Sequence, residues 1–147
     1  MHTKYKKFSK IFLLIFKDII HIMTLEHKGL ENLLEKFRVR ESPKTGLAFI
    51  GICLLYKKEK YEFMLDDVFE EANNFLKKFN NVSNDIKIYN SFNFVTVLKE
   101  FQLLDIIETQ NYGYRKKYTI KTDKITSDLI DLYFGKFVYV FINSYCY

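Results

Sequence analysis

The chain has no tryptophan, one proline, five glycines and two cysteines in 147 residues, and each scarcity removes a class of protein. Cys53, inside an apolar stretch, and Cys146, near the end, build neither a disulfide framework nor a CxxC pair, and they read as reduced intracellular thiols. No GxxxxGK[ST] loop and no GxGxxG turn occurs, so no backbone cradle for the phosphates of ATP or a dinucleotide is present, and no cofactor is expected. HExxH is also missing. The three histidines, His2, His21 and His27, lack metal-ligand spacing and no metal is expected. Long apolar runs are absent as well. Ile11–Phe16 follows Lys4, Lys6, Lys7 and Lys10 in the manner of a secretory leader, but Lys17 and Asp18 stop it after six residues. That is too short for a signal peptide or a membrane span, so no membrane partner is expected.

What is abundant is core-forming material. A hydrophobic content of 48%, with 18% aromatics, suffices for one globular domain plus an appendage. The leaning toward Lys, Asn, Ile, Phe and Tyr matches the codon bias of an AT-rich genome, so the lysine count alone carries no functional weight. Net charge is +5, and its excess is N-terminal: residues 1–60 hold 13 Lys and Arg against 6 Asp and Glu. This permits an anionic partner without requiring one.

Phe8, Ile11, Phe12, Ile15, Ile19, Ile22 and Met23 recur at three- and four-residue steps and predict an amphipathic helix. Packing onto a domain or partner explains its stripe more simply than a membrane surface does. Thr24 can cap a second helix with a stripe of Leu30, Leu33, Leu34 and Phe37. Residues 1–41 thus form a helical appendage. Residues 42–46, Ser-Pro-Lys-Thr-Gly, read as a linker. The main domain spans 47–135. It opens with a helix over Leu47–Lys60, apolar on most of its circumference, followed by a short strand at Tyr61–Met64 that pairs with a later hairpin. Asp66 or Asp67 starts a second helix with Val68, Phe69, Ala72, Phe75, Leu76 and Phe79 inward. After a polar turn, a third helix over Asn90–Gln102 turns Phe94, Val95, Leu98 and Phe101 to the core and Asn93, Thr96, Lys99 and Glu100 outward. A loop carrying Gly113 and Arg115, Lys116 and Lys117 leads to the alternating strand Tyr118–Lys121. Thr122 or Asp123 caps a last helix that Gly135 closes. Residues 136–147 are an apolar tail of doubtful status: an added strand, a partner-binding segment, or translation past the true reading frame.

The expected fold is mainly α with a small β-ribbon, a winged helix-turn-helix domain preceded by two N-terminal helices. A helix feeding a ribbon with a cationic tip suits double-stranded DNA better than small-molecule chemistry. Arg115, Lys116 and Lys117 can meet phosphates, Tyr112 or Tyr114 can pack on sugars, and Ser91, Asn93, Thr96 and Lys99 lie nearer the groove. The carboxylates Asp66, Asp67, Glu70 and Glu71 share one short helix instead of facing each other across a cleft, so they read as a solvated, dipole-matched face. No residue proposes a nucleophile, no enzymatic activity is expected, and no small-molecule substrate is implied.

Over Leu47 to Lys121 the chain resembles the C-terminal winged-helix domain of origin recognition complex subunit 4. The resemblance rests on Leu47-Ala48-Phe49-Ile50-Gly51-Ile52-Cys53-Leu54-Leu55; on Tyr61-Glu62-Phe63 through Val68-Phe69-Glu70-Glu71 to Phe75-Leu76; on Val97-Leu98-Lys99-Glu100-Phe101-Gln102-Leu103-Leu104-Asp105-Ile106-Ile107-Glu108; and on Arg115-Lys116-Lys117-Tyr118-Thr119-Ile120. It covers about half of the chain and rests on the order and spacing of these patterns. It implies a nuclear, non-catalytic subunit that helps hold replication-origin DNA, packs against other origin recognition subunits and serves initiation of DNA replication. Members carry an ATPase-like domain before the winged helix, which this chain lacks; either residues 1–41 are a remnant of that domain's lid or the protein is a reduced form. Two alternatives stay open, a free-standing winged-helix transcription regulator and a module that contacts only protein. In every case the purified chain is expected neither to bind nor to turn over ATP, and turnover that follows the protein through purification would contradict the absence of a phosphate cradle.

Overall fold

Ser42 and Pro43 begin a helix instead of a linker. The computed structural model describes residues 42–87 and 89–146, so the two helices read over 1–41 lie outside the described residues. Helix α1 spans Pro43–Lys57, with the Thr45 amide donating to Ser42 Oγ at 3.3 Å. Proline suits this first helical position because its missing N–H has no intrahelical partner there and its φ is already helical. Thr45 and Gly46 are buried, which corrects the linker reading of 42–46. Leu47 through Cys53 are all buried, as an apolar circumference demands.

The end of α1 uses no glycine. Glu59 adopts φ +61°, the Glu59 amide donates to the Tyr56 carbonyl and the Lys60 amide to the Leu55 carbonyl, each at 2.9 Å. These paired bonds satisfy the last free carbonyls of the helix in the Schellman pattern, with a glutamate where glycine is usual. Strand β1, Glu62–Phe63, follows directly. Helix α2, Leu65–Leu76, starts just before the expected aspartates, and Asp67 Oδ2 accepts from the Met64 amide at 2.8 Å. Burial opposes ionisation of Asp67, but that amide and the Lys60 ammonium outweigh it and hold the carboxyl below the ordinary aspartate range. Val68, Ala72 and Phe75 face the core as expected.

A short helix α3, Asn84–Lys87, precedes a 3-10 turn at Ser91–Phe94 that runs into helix α4, Val95–Leu103. The third helix thus begins with a tighter turn than its periodicity implies, closed by Asn90 and Asn93: the Asn90 side chain accepts from the Phe92 amide, and Asn93 Oδ1 accepts from the Asn90 amide at 2.7 Å. Asp105, at φ +64°, repeats the ending of α1, with its own amide donating to the Gln102 carbonyl and the Ile106 amide to the Phe101 carbonyl. Strands β2, Ile107–Tyr112, and β3, Arg115–Ile120, form a hairpin, and β1 adds to β3 to give the order β1-β3-β2, all antiparallel. The pairing of Tyr112 with Arg115 leaves a two-residue loop, and Gly113 supplies the positive φ of +63° that such a loop favours at its first position. Arg115, Lys116 and Lys117 therefore lie on β3, not in the loop.

Helix α5 runs from Ser127 to Tyr145, capped by Thr126, whose hydroxyl accepts from the Leu129 amide. It passes straight through Gly135, which corrects both the stop at that residue and the strand propensity read into Phe137–Ile142. A glycine inside a helix costs about 1 kcal/mol. That cost is small beside the burial of Tyr133, Phe137 and Phe141 at four-residue steps. The Phe137 ring centroid lies 4.4 Å from that of Phe49, and Phe141 meets Phe75 edge-on at 5.9 Å. The Ser83 amide donates to the Tyr145 carbonyl at 2.9 Å, tying the end of α5 to the segment before α3. The tail is therefore core, and the domain does not close at residue 135.

The described chain is mainly helical with one small three-stranded antiparallel sheet. Helices α1 and α2 approach closely at Gly51 of α1, where a Cβ would stand 2.8 Å from the Val68 carbonyl oxygen of α2. Gly51→Ala is expected to cost about 1–3 kcal/mol as an overpacking change that no rotamer can relieve. Phe137→Ala, in the former tail, should cost about 3–5 kcal/mol. Denaturant midpoints at unchanged slope test both; a neutral Phe137→Ala would return residues 136–147 to the status of a dispensable tail.

Candidate nucleic-acid interface

The expected site residues do not all converge. Ser91, Lys99, Tyr114, Arg115 and Lys116 line one groove of about 510 Å³, together with Met64, Leu65, Asp66, Phe92, Val95 and Tyr118. Three elements build it: the start of α2, the 3-10 turn with the first turns of α4, and the tip of the β2–β3 hairpin. Its cations come from α4 and β3, and its one carboxylate, Asp66, from α2. No ion pair among the described residues engages Lys99, Arg115 or Lys116.

Lys117 takes another position. Side chains alternate along a strand, so Lys116 shares the face of the buried Tyr118 and Ile120 while Lys117 lies on the other face. There its ammonium pairs with Glu62 of β1 at 2.6 Å. Asn93 is half-buried and spends its side-chain oxygen on the Asn90 amide, so it serves the turn that starts α4. Thr96 is exposed on α4 but outside the groove lining. Glu100, read as facing outward with Lys99, is half-buried.

Two residues of this surface escaped the sequence reading. Phe92, 78% exposed, and Leu103, 87% exposed, stand at the two ends of a stripe Phe92, Thr96, Lys99, Leu103 along the outer side of the 3-10 turn and α4. The steps of four, three and four residues were legible as one helical face. Neither belongs to the inward set Phe94, Val95, Leu98 and Phe101, and their apolar side chains drew no weight beside the polar residues of the same face.

Away from the groove, the end of α4 and the base of the hairpin are cross-braced. Thr109 Oγ1 of β2 donates to Gln102 Oε1 of α4 at 2.9 Å. Asp105, just beyond α4, accepts from Lys121, just beyond β3, and from Lys124. These two ammonium groups hold the Asp105 carboxyl near pKa 2, below its usual 3.8, and Asp105 in turn raises Lys121.

No protein-family model, curated protein or solved structure matches the chain. Among the described residues, no helix is long and apolar enough to cross a membrane, and no group of three His, Cys, Asp or Glu is placed to hold a metal ion.

A carboxylate whose folded pKa is depressed contributes stability that is present above its unfolded pKa and is lost as pH falls through the folded value. For Asp105 that window runs from the usual 3.8 down to about 2. Asp105→Asn should therefore be less stable than the parent near neutral pH, and the gap in thermal midpoint should close as pH falls across that window. A gap independent of pH would assign the loss to backbone geometry instead of the two lysines.

Proposed function

We propose that this chain is a winged helix-turn-helix protein that binds double-stranded DNA without catalysing a reaction on it. The observation that carries the reading is the convergence of Lys99, Arg115 and Lys116, all free of ion pairs among the described residues, on one groove between α4 and the hairpin. The element order supports it: α1, β1, α2, then α4 feeding β2 and β3, with β1 joined to the far strand of the hairpin. In helix-turn-helix proteins the helix at the position of α4 enters the major groove. Phosphate contacts then come from the hairpin and position the duplex. The stripe on α4 offers only Thr96 and Lys99 as polar readers, so base discrimination is weak and affinity is mostly electrostatic.

The resemblance of Leu47–Lys121 to the winged helix of origin recognition complex subunit 4 extends the proposal to a nuclear role in replication initiation beside sibling subunits. A free-standing transcription regulator would share the DNA contact but dimerise on one defined site. Exposed Phe92 and Leu103 favour a second reading, a protein-only module, because apolar residues at both ends of a helix face suit a partner protein.

Duplex binding across a salt series separates the DNA-binding readings from the protein-only module. Each lost phosphate contact flattens the log-log salt slope by roughly 0.9, so the double variant R115A/K116A should flatten it by up to about 1.8. Lys117→Ala should change the slope far less, because Glu62 already pairs with that ammonium. Unchanged affinity and slope in the double variant would move the assignment to the protein-only module.

A further inference from the structure

The groove is better furnished than a duplex contact requires. Beside its cations it presents the ring of Phe92, the fully exposed Tyr114, and an apolar lining of Met64, Leu65, Val95 and Tyr118. In a duplex both faces of every internal base are covered by its neighbours, and a protein meets only phosphates, sugars and base edges. A flat aromatic ring at the groove gains little from those. It gains from the face of a base that has left the stack, and base–aromatic stacking beside a positively charged track is how proteins hold single strands.

We infer that this groove seats an unpaired nucleotide, with Phe92 as the stacking platform and Lys99, Arg115 and Lys116 holding the flanking phosphates. The inference rests on the DNA-binding reading and names the form of DNA that the groove prefers. The space is adequate, since 510 Å³ falls within the roughly 300–1,000 Å³ of pockets that enclose small organic ligands. Charge orients the strand. Phosphates run along α4 and the hairpin, which supply the three cations, and away from Asp66 on α2. The base then turns toward the apolar residues at the start of α2. Tyr114, at the hairpin tip, forms the second aromatic side.

The absence of tryptophan gives a direct test on the full chain. Phe92→Trp places the only indole in the protein at the proposed platform, and stacking quenches its fluorescence. Oligo-deoxythymidine is expected to quench it strongly and a blunt duplex of equal length weakly. Phe92→Ala, at a residue too exposed to unfold the domain, should weaken oligo-deoxythymidine binding by about 5- to 100-fold and blunt-duplex binding by a clearly smaller factor. Equal quenching by the two DNA forms, or an equal effect of Phe92→Ala on both, overturns the inference while leaving duplex binding and its salt slope intact. If neither DNA form binds the parent, the DNA-binding reading falls and this inference falls with it.

Discussion

The arrangement depends on how closely α1 and α2 approach at Gly51. A carbonyl oxygen of α2 occupies the space where any other residue of α1 would carry its Cβ, so the two helices meet nearly backbone to backbone. That proximity leaves the rest of the α1 circumference for other partners. Phe49 meets Phe101 of α4 edge-on at 6.4 Å and lies against Phe137 of α5, while Phe69 of α2 meets Phe94 beside α4 at 5.9 Å. Four helices are thereby located by rings gathered around one apolar rod. A wider crossing would move the start of α2, and with it the Met64–Asp66 side of the groove, away from α4.

Much of this was legible in the chain. The apolar run Leu47–Leu55 could only be a helix enclosed by neighbours, and the inward set Val68, Ala72 and Phe75 followed from its period. Phe63 pairing with Tyr118, with rings stacked at 5.8 Å, was legible as a short alternating segment near a hairpin. What failed were the boundaries. Pro43 and Gly46 look like punctuation, yet a proline at a helix start and a glycine inside a buried helix are both inexpensive there. Gly135 looks like a stop, while the stops actually used are Glu59 and Asp105, which no propensity rule marks. The uncharged tail 136–147 left an added strand, a partner-binding segment and read-through all open because a short apolar run does not reveal its own period; Tyr133, Phe137 and Phe141 taken together do.

The same limit applied to the surface. A run of three cations looked like one patch, but β-strand alternation divides it, sending Lys117 to Glu62 and leaving Lys116 by the groove. Asn93 falls on the outward polar side of the helical wheel, but the backbone of its own turn claims its side-chain oxygen. Local bonds to main chain are cheap to form and invisible to a helical wheel.

The braces at Asp105 and Gln102 have a kinetic consequence. They tie the end of α4 to β2 and to the segment that follows β3, which restrains α4 and the hairpin from moving independently. A groove restrained in this way has little ordering entropy left to lose on contact with any ligand. Differences in affinity among ligands for such a surface are then expressed mainly in residence time, not in the rate of encounter.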